Sequence, residues 1–140
     1  MPDGTKILLV DDDDFLLDMY STKFKEEGFE VDIASSGEEA LTKLRKNSYP
    51  VVLLDIVMPG LDGFEVLSRI KKENLAQESV IIVLSNLGQK EDIERGLELG
   101  AKDYVIKAHF TPHEVVDKIE QHLGKYQVPS NKSQTNSNDK

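Results

Sequence analysis

Three short runs in the chain are apolar at every position: Ile7 to Val10 (ILLV), Val51 to Leu54 (VVLL) and Val80 to Leu84 (VIIVL). Unbroken, β-branched runs of this length predict the central strands of a parallel sheet, because a strand covered by helices on both faces has no polar side with which to alternate. Two further runs, FEVDIA (29–34) and DYVIK (103–107), mix polar and apolar positions and suit sheet edges. Helical patterns with start and stop signals lie between them. Asp14 is placed to cap a helix that carries Leu16, Tyr20 and Phe24 and stops at Gly28, with Asp13 left as a solvated loop residue. Ser36 and Glu39 form a capping box ahead of Ala40, Leu41 and Leu44, and Asp62 with Glu65 opens a third helix. The fourth, around Ile93 and Leu97, is poorly apolar and contains Gly96, which costs about 1 kcal/mol relative to alanine, so it is expected to be the loosest. Thr111, Pro112 and Glu114 open the fifth, whose apolar face is Val115, Val116, Ile119 and Leu123 and which ends at Gly124.

Five strands alternating with five helices predict a doubly wound α/β domain, with its ligand site at the carboxyl ends of the strands where the winding reverses. At 140 residues and 39% hydrophobic, the chain suffices for one well-cored domain and is short for two. That domain is expected over residues 1–124. The segment KYQVPSNKSQTNSNDK (125–140) is rich in Ser and Asn and is expected to be a flexible tail or linker stub. The formal charge of −9 argues against direct binding to nucleic acid or to an anionic membrane surface. With no cysteine there is neither a disulfide framework nor a thiolate zinc site. No apolar run approaches the roughly 18–20 residues of a membrane span, and MPDGTK is not a signal peptide, so a cytoplasmic location is expected.

The predicted strand ends deliver one set of polar groups: Asp11 and Asp12 after the first strand, Asp55 after the third, Ser85 after the fourth and Lys107 after the fifth. Where a nucleotide-binding fold would have a glycine-rich phosphate loop, this chain has four consecutive aspartates, 11 to 14. Such a cluster repels a bare phosphate and itself, so a counter-charge is required. Mg²⁺, with Mn²⁺ as the alternative ion, accepts one or two carboxylates and keeps positions open for phosphate oxygens. Together with the Lys107 ammonium it balances three carboxylates.

In order and spacing, LLVDDD, VVLLDIVMPGLDGFEVL, VIIVLSN and GAKDYVIK resemble the receiver domains of two-component response regulators, over residues 5–124. The resemblance implies a flavodoxin-like sheet of strand order 2-1-3-4-5, the order of the chemotaxis regulator. It implies that Asp55 is the phosphoacceptor, that Asp11, Asp12, Asp55 and the backbone carbonyl of Val57 hold the metal, and that Ser85 and Lys107 contact the phosphoryl group. Ser85 and Tyr104 would be the switch pair, altering the face formed by the fourth helix, fifth strand and fifth helix. The implied donor is a sensor histidine kinase or a histidine phosphotransfer protein. An output partner, not identified by these residues, and a homodimer formed on phosphorylation complete the expected associations.

Singly, these residues have plainer readings: Ser85 as a satisfied strand-end hydroxyl, Lys107 as an edge lysine, Tyr104 as ordinary packing. His109, His113 and His122 make no metal set and read as surface residues. The chain also departs from the family pattern. It reads KAHF where Lys-Pro-Phe is usual, which predicts a trans Lys107–Ala108 bond, since a non-proline cis bond costs about 3–4 kcal/mol, and a loop re-routed toward Thr111. Val57 and Leu87 are apolar where relatives can carry polar side chains that position the hydrolytic water, which predicts slow dephosphorylation, with Asn86 also in the water's path. Two rival functions are an aspartyl-phosphate hydrolase of the haloacid dehalogenase type and a phosphorylation-independent adaptor. The first wants a D-x-D-x-T run after its first strand, which VDDDDF lacks, and retention of all five groups counts against the second.

Overall fold

The computed structural model describes residues 4–124, so the expected tail at 125–140 lies outside the described residues. Five parallel strands, β1 (Lys6–Val10), β2 (Glu30–Ala34), β3 (Val51–Leu54), β4 (Val80–Ser85) and β5 (Asp103–Ile106), pair in the order β2-β1-β3-β4-β5. The helices α1 (Asp14–Glu26), α2 (Gly37–Lys46), α3 (Gly63–Lys72), α4 (Lys90–Glu98) and α5 (Pro112–His122) alternate with them, and a 3₁₀ turn (Lys107–His109) follows β5. The three all-apolar runs are the three inner strands, and the two mixed runs are the edges, as their patterns require.

Successive residues of each strand point to opposite faces, and the core divides accordingly. Leu8, Val10, Val52, Leu54, Ile81 and Val83 pack with Ala40, Leu41, Leu44, Val66 and Leu67 of α2 and α3 on one face. Ile7, Leu9, Leu53, Ile82 and Val105 pack with Leu17, Tyr20 and Phe24 of α1 and Val115, Val116 and Ile119 of α5 on the other. In α4, Gly96 is the only residue in the buried class, while Leu97 is 44% exposed, which matches the weak apolar face read from its sequence. Gly96 has a reason to lack a side chain, because a Cβ there would sit 3.0 Å from the Tyr104 ring.

Two caps differ from expectation. Asp13, not Asp14, is the N-cap of α1: its carboxylate accepts from the N–H groups of Phe15 and Leu16, and Asp14 is the first helical residue. The Asp11 side chain holds the Asp13 N–H at 2.9 Å, which starts the helix one residue early and leaves Asp14 in the exposed first turn. At α2 the Ser36 hydroxyl accepts from Glu39 N–H, but the Glu39 carboxylate returns to the N–H and hydroxyl of Ser35, not to Ser36, so the box is open by one residue. At α5, which Thr111, Pro112 and Glu114 open as expected, Thr111 and Glu114 form a box closed in both directions.

Away from the strand ends, Asp32 on β2 accepts from the Tyr49 hydroxyl at 2.6 Å and from Lys43 Nζ at 2.9 Å. Partial burial alone would raise this carboxyl, but the bonds from Tyr49 and Lys43 outweigh it and hold the group below the usual carboxylate range. A carboxylate depressed in the folded state contributes stability above its unfolded value, about 3.9, and that contribution is lost as pH falls through the folded value. The side chain is 33% exposed, so solvent screens part of the effect. Asp32→Asn is therefore expected to lower the unfolding free energy by about 1 kcal/mol at neutral pH, with the deficit shrinking below about pH 4. Urea denaturation of both proteins across that range checks the slope, and a deficit unchanged at low pH would contradict it.

Candidate functional site

Register brings the predicted groups together. Val10 pairs with Leu54, so the residues that follow, Asp11 and Asp55, emerge side by side at the point between β1 and β3 where the winding reverses. The Asp55 N–H continues the ladder to the Val10 carbonyl at 3.0 Å, and the Asp11 N–H does the same to Ala34 at 3.1 Å. Ser85 pairs with Ile106, which places Lys107 just beyond Ser85 on the same edge. All five predicted groups line one open pocket of about 440 Å³, together with Asp13, Leu16, Val57, Asn86 and Leu87.

The two buried carboxylates are held in the same way. Asp11 is 3% exposed and Asp55 6%. In each, Oδ1 accepts from its own loop: Asp11 from the Asp13 N–H, Asp55 from the N–H groups of Ile56 at 2.7 Å and Val57 at 3.3 Å. Each Oδ2 is thereby turned to the same ammonium, with Lys107 Nζ 2.6 Å from Asp11 and 3.1 Å from Asp55. Backbone geometry fixes Asp55 further. The Gly63 N–H that opens α3 donates to the Ile56 carbonyl, and a Cβ on Gly63 would lie 2.4 Å from the Asp55 carbonyl oxygen. The helix can seat against the Asp55 loop only because residue 63 has no side chain.

The charges do not balance within the protein. Burial raises the Asp11 carboxyl, with the Asp55 charge adding to it, and the hydrogen bond from Lys107 returns only part. For Lys107, burial alone would lower the ammonium, but the bond to Asp11 and the charges of Asp55 and Asp11 carry it above its usual value. Both directions describe two buried anions sharing one cation. Asp12, exposed at the rim, completes a set of three carboxylates whose oxygens lie within 4.8 Å of one another. An all-oxygen set short of positive charge suits a hard divalent cation, so these residues fit Mg²⁺.

Ser85 is fully buried, and its Oγ accepts from the Leu87 N–H at 3.3 Å. The Tyr104 hydroxyl donates to the carbonyl of that same Leu87. Burial, with the negative charges of Asp92 and Asp55, pushes the Tyr104 phenol up to about 12, so it remains a donor at neutral pH. Thus one residue, Leu87, joins Ser85 to Tyr104 through its N–H and its carbonyl, a link that the sequence reading missed because backbone groups carry it. Val57, 59% exposed, stands at the pocket rim, and Leu87 is half-buried with its side chain packed on the core. The Lys107–Ala108 bond is trans, and the chain turns through the 3₁₀ turn to Thr111 as the KAHF departure predicted. His109, His113 and His122 are all on the surface, with His122 paired to Asp103 at 2.9 Å.

Residues 7–120 match the family described as the response regulator receiver domain. The CpxR homolog of Haemophilus influenzae, a transcriptional regulatory protein, is 43% identical over 129 residues, 91% of this chain and 54% of its own length. The probable transcriptional regulator ycf27 of Pyropia yezoensis is 43% identical over 114 residues, 81% of this chain and 45% of its own. The chain therefore spans about half the length of these curated relatives. Among solved structures, the Francisella response regulator 1452 receiver domain superposes with a TM-score of 0.80 at 33% identity, covering 87% of this chain and 98% of its own.

Proposed function

This chain belongs to the response regulator receiver domain family of two-component signalling, and from that premise we propose that it accepts a phosphoryl group on Asp55 with Mg²⁺. The observation that carries the reading is the convergence of the Asp11 and Asp55 Oδ2 atoms on Lys107 Nζ, beside Asp12 and Ser85, in one pocket. A carboxylate needs no proton removed before it attacks, so Asp55 is a competent nucleophile at neutral pH. Attack on phosphohistidine of a sensor kinase or phosphotransfer protein forms the Asp55 O–P bond. The P–N bond breaks, its electron pair stays on the imidazole, and the imidazole takes a proton from solvent. Asp11, Asp12, Asp55 and the Val57 carbonyl would hold Mg²⁺, which when bound offsets charge on the transferring phosphoryl oxygens. Lys107 and Ser85 supply an ammonium and a hydroxyl to the same oxygens.

Phosphorylation takes Asp55 from −1 to about −2 and adds acceptor oxygens. The Ser85 hydroxyl turns toward them at the expense of its bond with Leu87 N–H, and because Tyr104 holds the carbonyl of the same residue, the change passes to β5 and α4. The signalling face is then α4, β5 and α5, where Leu97 is already exposed, and the homodimer formed on phosphorylation would use it. The chain acts as a signalling module with self-phosphorylation and autodephosphorylation as its only reactions. Among the described residues no helix is long and apolar enough to cross a membrane, which supports a cytoplasmic location.

Incubation with acetyl phosphate and Mg²⁺ tests the reading: one phosphoryl group should appear on Asp55, cleavable by hydroxylamine and prevented by EDTA. Steady turnover of a phosphomonoester would favour the haloacid dehalogenase type, and no labelling would favour an adaptor. The apolar Val57 and Leu87 offer no group to position water, so the phosphorylated state should be long-lived. Val57→Asn/Leu87→Glu is expected to speed Mg²⁺-dependent autodephosphorylation by about tenfold. A rate equal to wild type would remove these two side chains from the explanation.

A further inference from the structure

Tyr20 lies on α1, 4% exposed, in the half of the core that also holds Leu9, Leu84 and Val105, the residues that lead into Asp11, Ser85 and Lys107. Leu16, one helical turn before it on the same face, lines the pocket. Four residues of helix rise only about 6 Å, and long side chains on a helix lean toward its N-terminus, which for α1 is the pocket end. The ring of Tyr20 therefore reaches back beneath the pocket. The charges that act on its phenol agree with that direction. Burial pushes the phenol up, the charge of Lys107 opposes the rise, and the charges of Asp11 and Asp55 add to it. Those are the ammonium and the two carboxylates that share it. Tyr49 and Tyr104 donate their hydroxyls to Asp32 and to the Leu87 carbonyl, whereas the Tyr20 hydroxyl has no protein partner among the described residues. A buried phenol in that position calls for a polar neighbour. Lys107 has one to offer, because two of its three N–H groups go to Asp11 and Asp55 and the third does not.

We propose that the Tyr20 hydroxyl is a positioning group for Lys107, joined to its ammonium from below through one buried water, an inference that rests on the reading of Asp55 as phosphoacceptor. The water accepts from the ammonium and from the phenol. With Asp11 as a further partner it has the roughly three hydrogen bonds that a buried water requires. Anchored in this way, the ammonium stays over Asp55 while the phosphoryl group arrives, and a positioning group displaced by an ångström slows transfer steeply. Phenylalanine at position 20 would keep the ring and its stack on Phe24 and lose only the oxygen, so hydroxyl and packing are separable.

The experiment compares Tyr20→Phe and Tyr20→Leu with wild type in two measurements, with circular dichroism to confirm the fold. One is the rate at which subsaturating acetyl phosphate with Mg²⁺ labels Asp55. The other is the NMR signal of the Lys107 ammonium protons in the unphosphorylated protein, assigned by its loss in Lys107→Arg. Both Tyr20 variants should label about fivefold more slowly than wild type, and both should lose the ammonium signal to exchange with solvent. Slower labelling in Tyr20→Leu alone would assign the effect to the ring and overturn the role of the hydroxyl. An ammonium signal of the same width in wild type and Tyr20→Phe would overturn it as well. A wild-type protein that takes no phosphoryl group on Asp55 would overturn the functional reading and this inference with it.

Discussion

Asp55→Asn should reduce labelling by acetyl phosphate and Mg²⁺ to background, while Asp13→Asn should retain it within about threefold. The amide of asparagine has no anionic oxygen to attack phosphorus, and no other group in the pocket can take its place: Asp11 is bonded to Lys107 and the Asp13 N–H, and Asp12 stands at the exposed rim. Asp13 is a stringent control because it belongs to the same acidic run and lines the same pocket. Its carboxylate serves α1 by accepting from Phe15 and Leu16, and asparagine caps as well as aspartate does. Intact-mass measurement with circular dichroism separates lost chemistry from lost fold. Equal loss in both variants would mean that net charge in the pocket, rather than one nucleophile, governs the reaction.

Removal of the ammonium should have the largest effect on stability. Lys107→Ala leaves Asp11 and Asp55 buried with no cation between them, and breaking one side of a buried ion pair costs about 3–5 kcal/mol. Protonation of one carboxyl limits that cost, and it fixes the sign with pH. In the variant the Asp11 carboxyl, already raised by burial, loses the Lys107 bond that lowers it, so the folded state is favoured at low pH and its deficit grows as pH rises through the raised value. Addition of Asp11→Ala to Lys107→Ala should recover most of the loss, because the remaining Asp55 still receives the N–H groups of Ile56 and Val57. Chemical denaturation of the four proteins in EDTA measures the coupling. A Lys107→Ala protein as stable as wild type would show that solvent already neutralises the site.

What the chain spells out, and what it withholds, follows from where specificity is stored. The inner strands were legible because ILLV, VVLL and VIIVL have no polar position, and the placement of Asp11, Asp55 and Ser85 follows from strand ends alone. The caps were not. In a run of four aspartates every member has the same capping chemistry, and the choice of Asp13 depends on Asp11 holding the Asp13 N–H, a contact decided by backbone path. The Leu87 link and the bond from the Ala108 N–H to Asn86 Oδ1 were hidden for a related reason, since each runs between a side chain and a main-chain group whose identity carries no signature. One clue existed: at position 108 the chain restores an N–H that proline would lack, and a restored donor needs an acceptor.

Lys107 and Asp11 are 96 residues apart, so the ion pair that organises the pocket joins nearly opposite ends of the folded region. During synthesis or refolding, β1 can pair with β2 and β3 long before β5 arrives, since those contacts close shorter loops. Until β5 docks, the aspartates lack the ammonium that both share. Completion of the pocket is thereby placed under the control of chain completion: a truncated or half-folded chain can carry every acidic group and still lack the ammonium that closes the site.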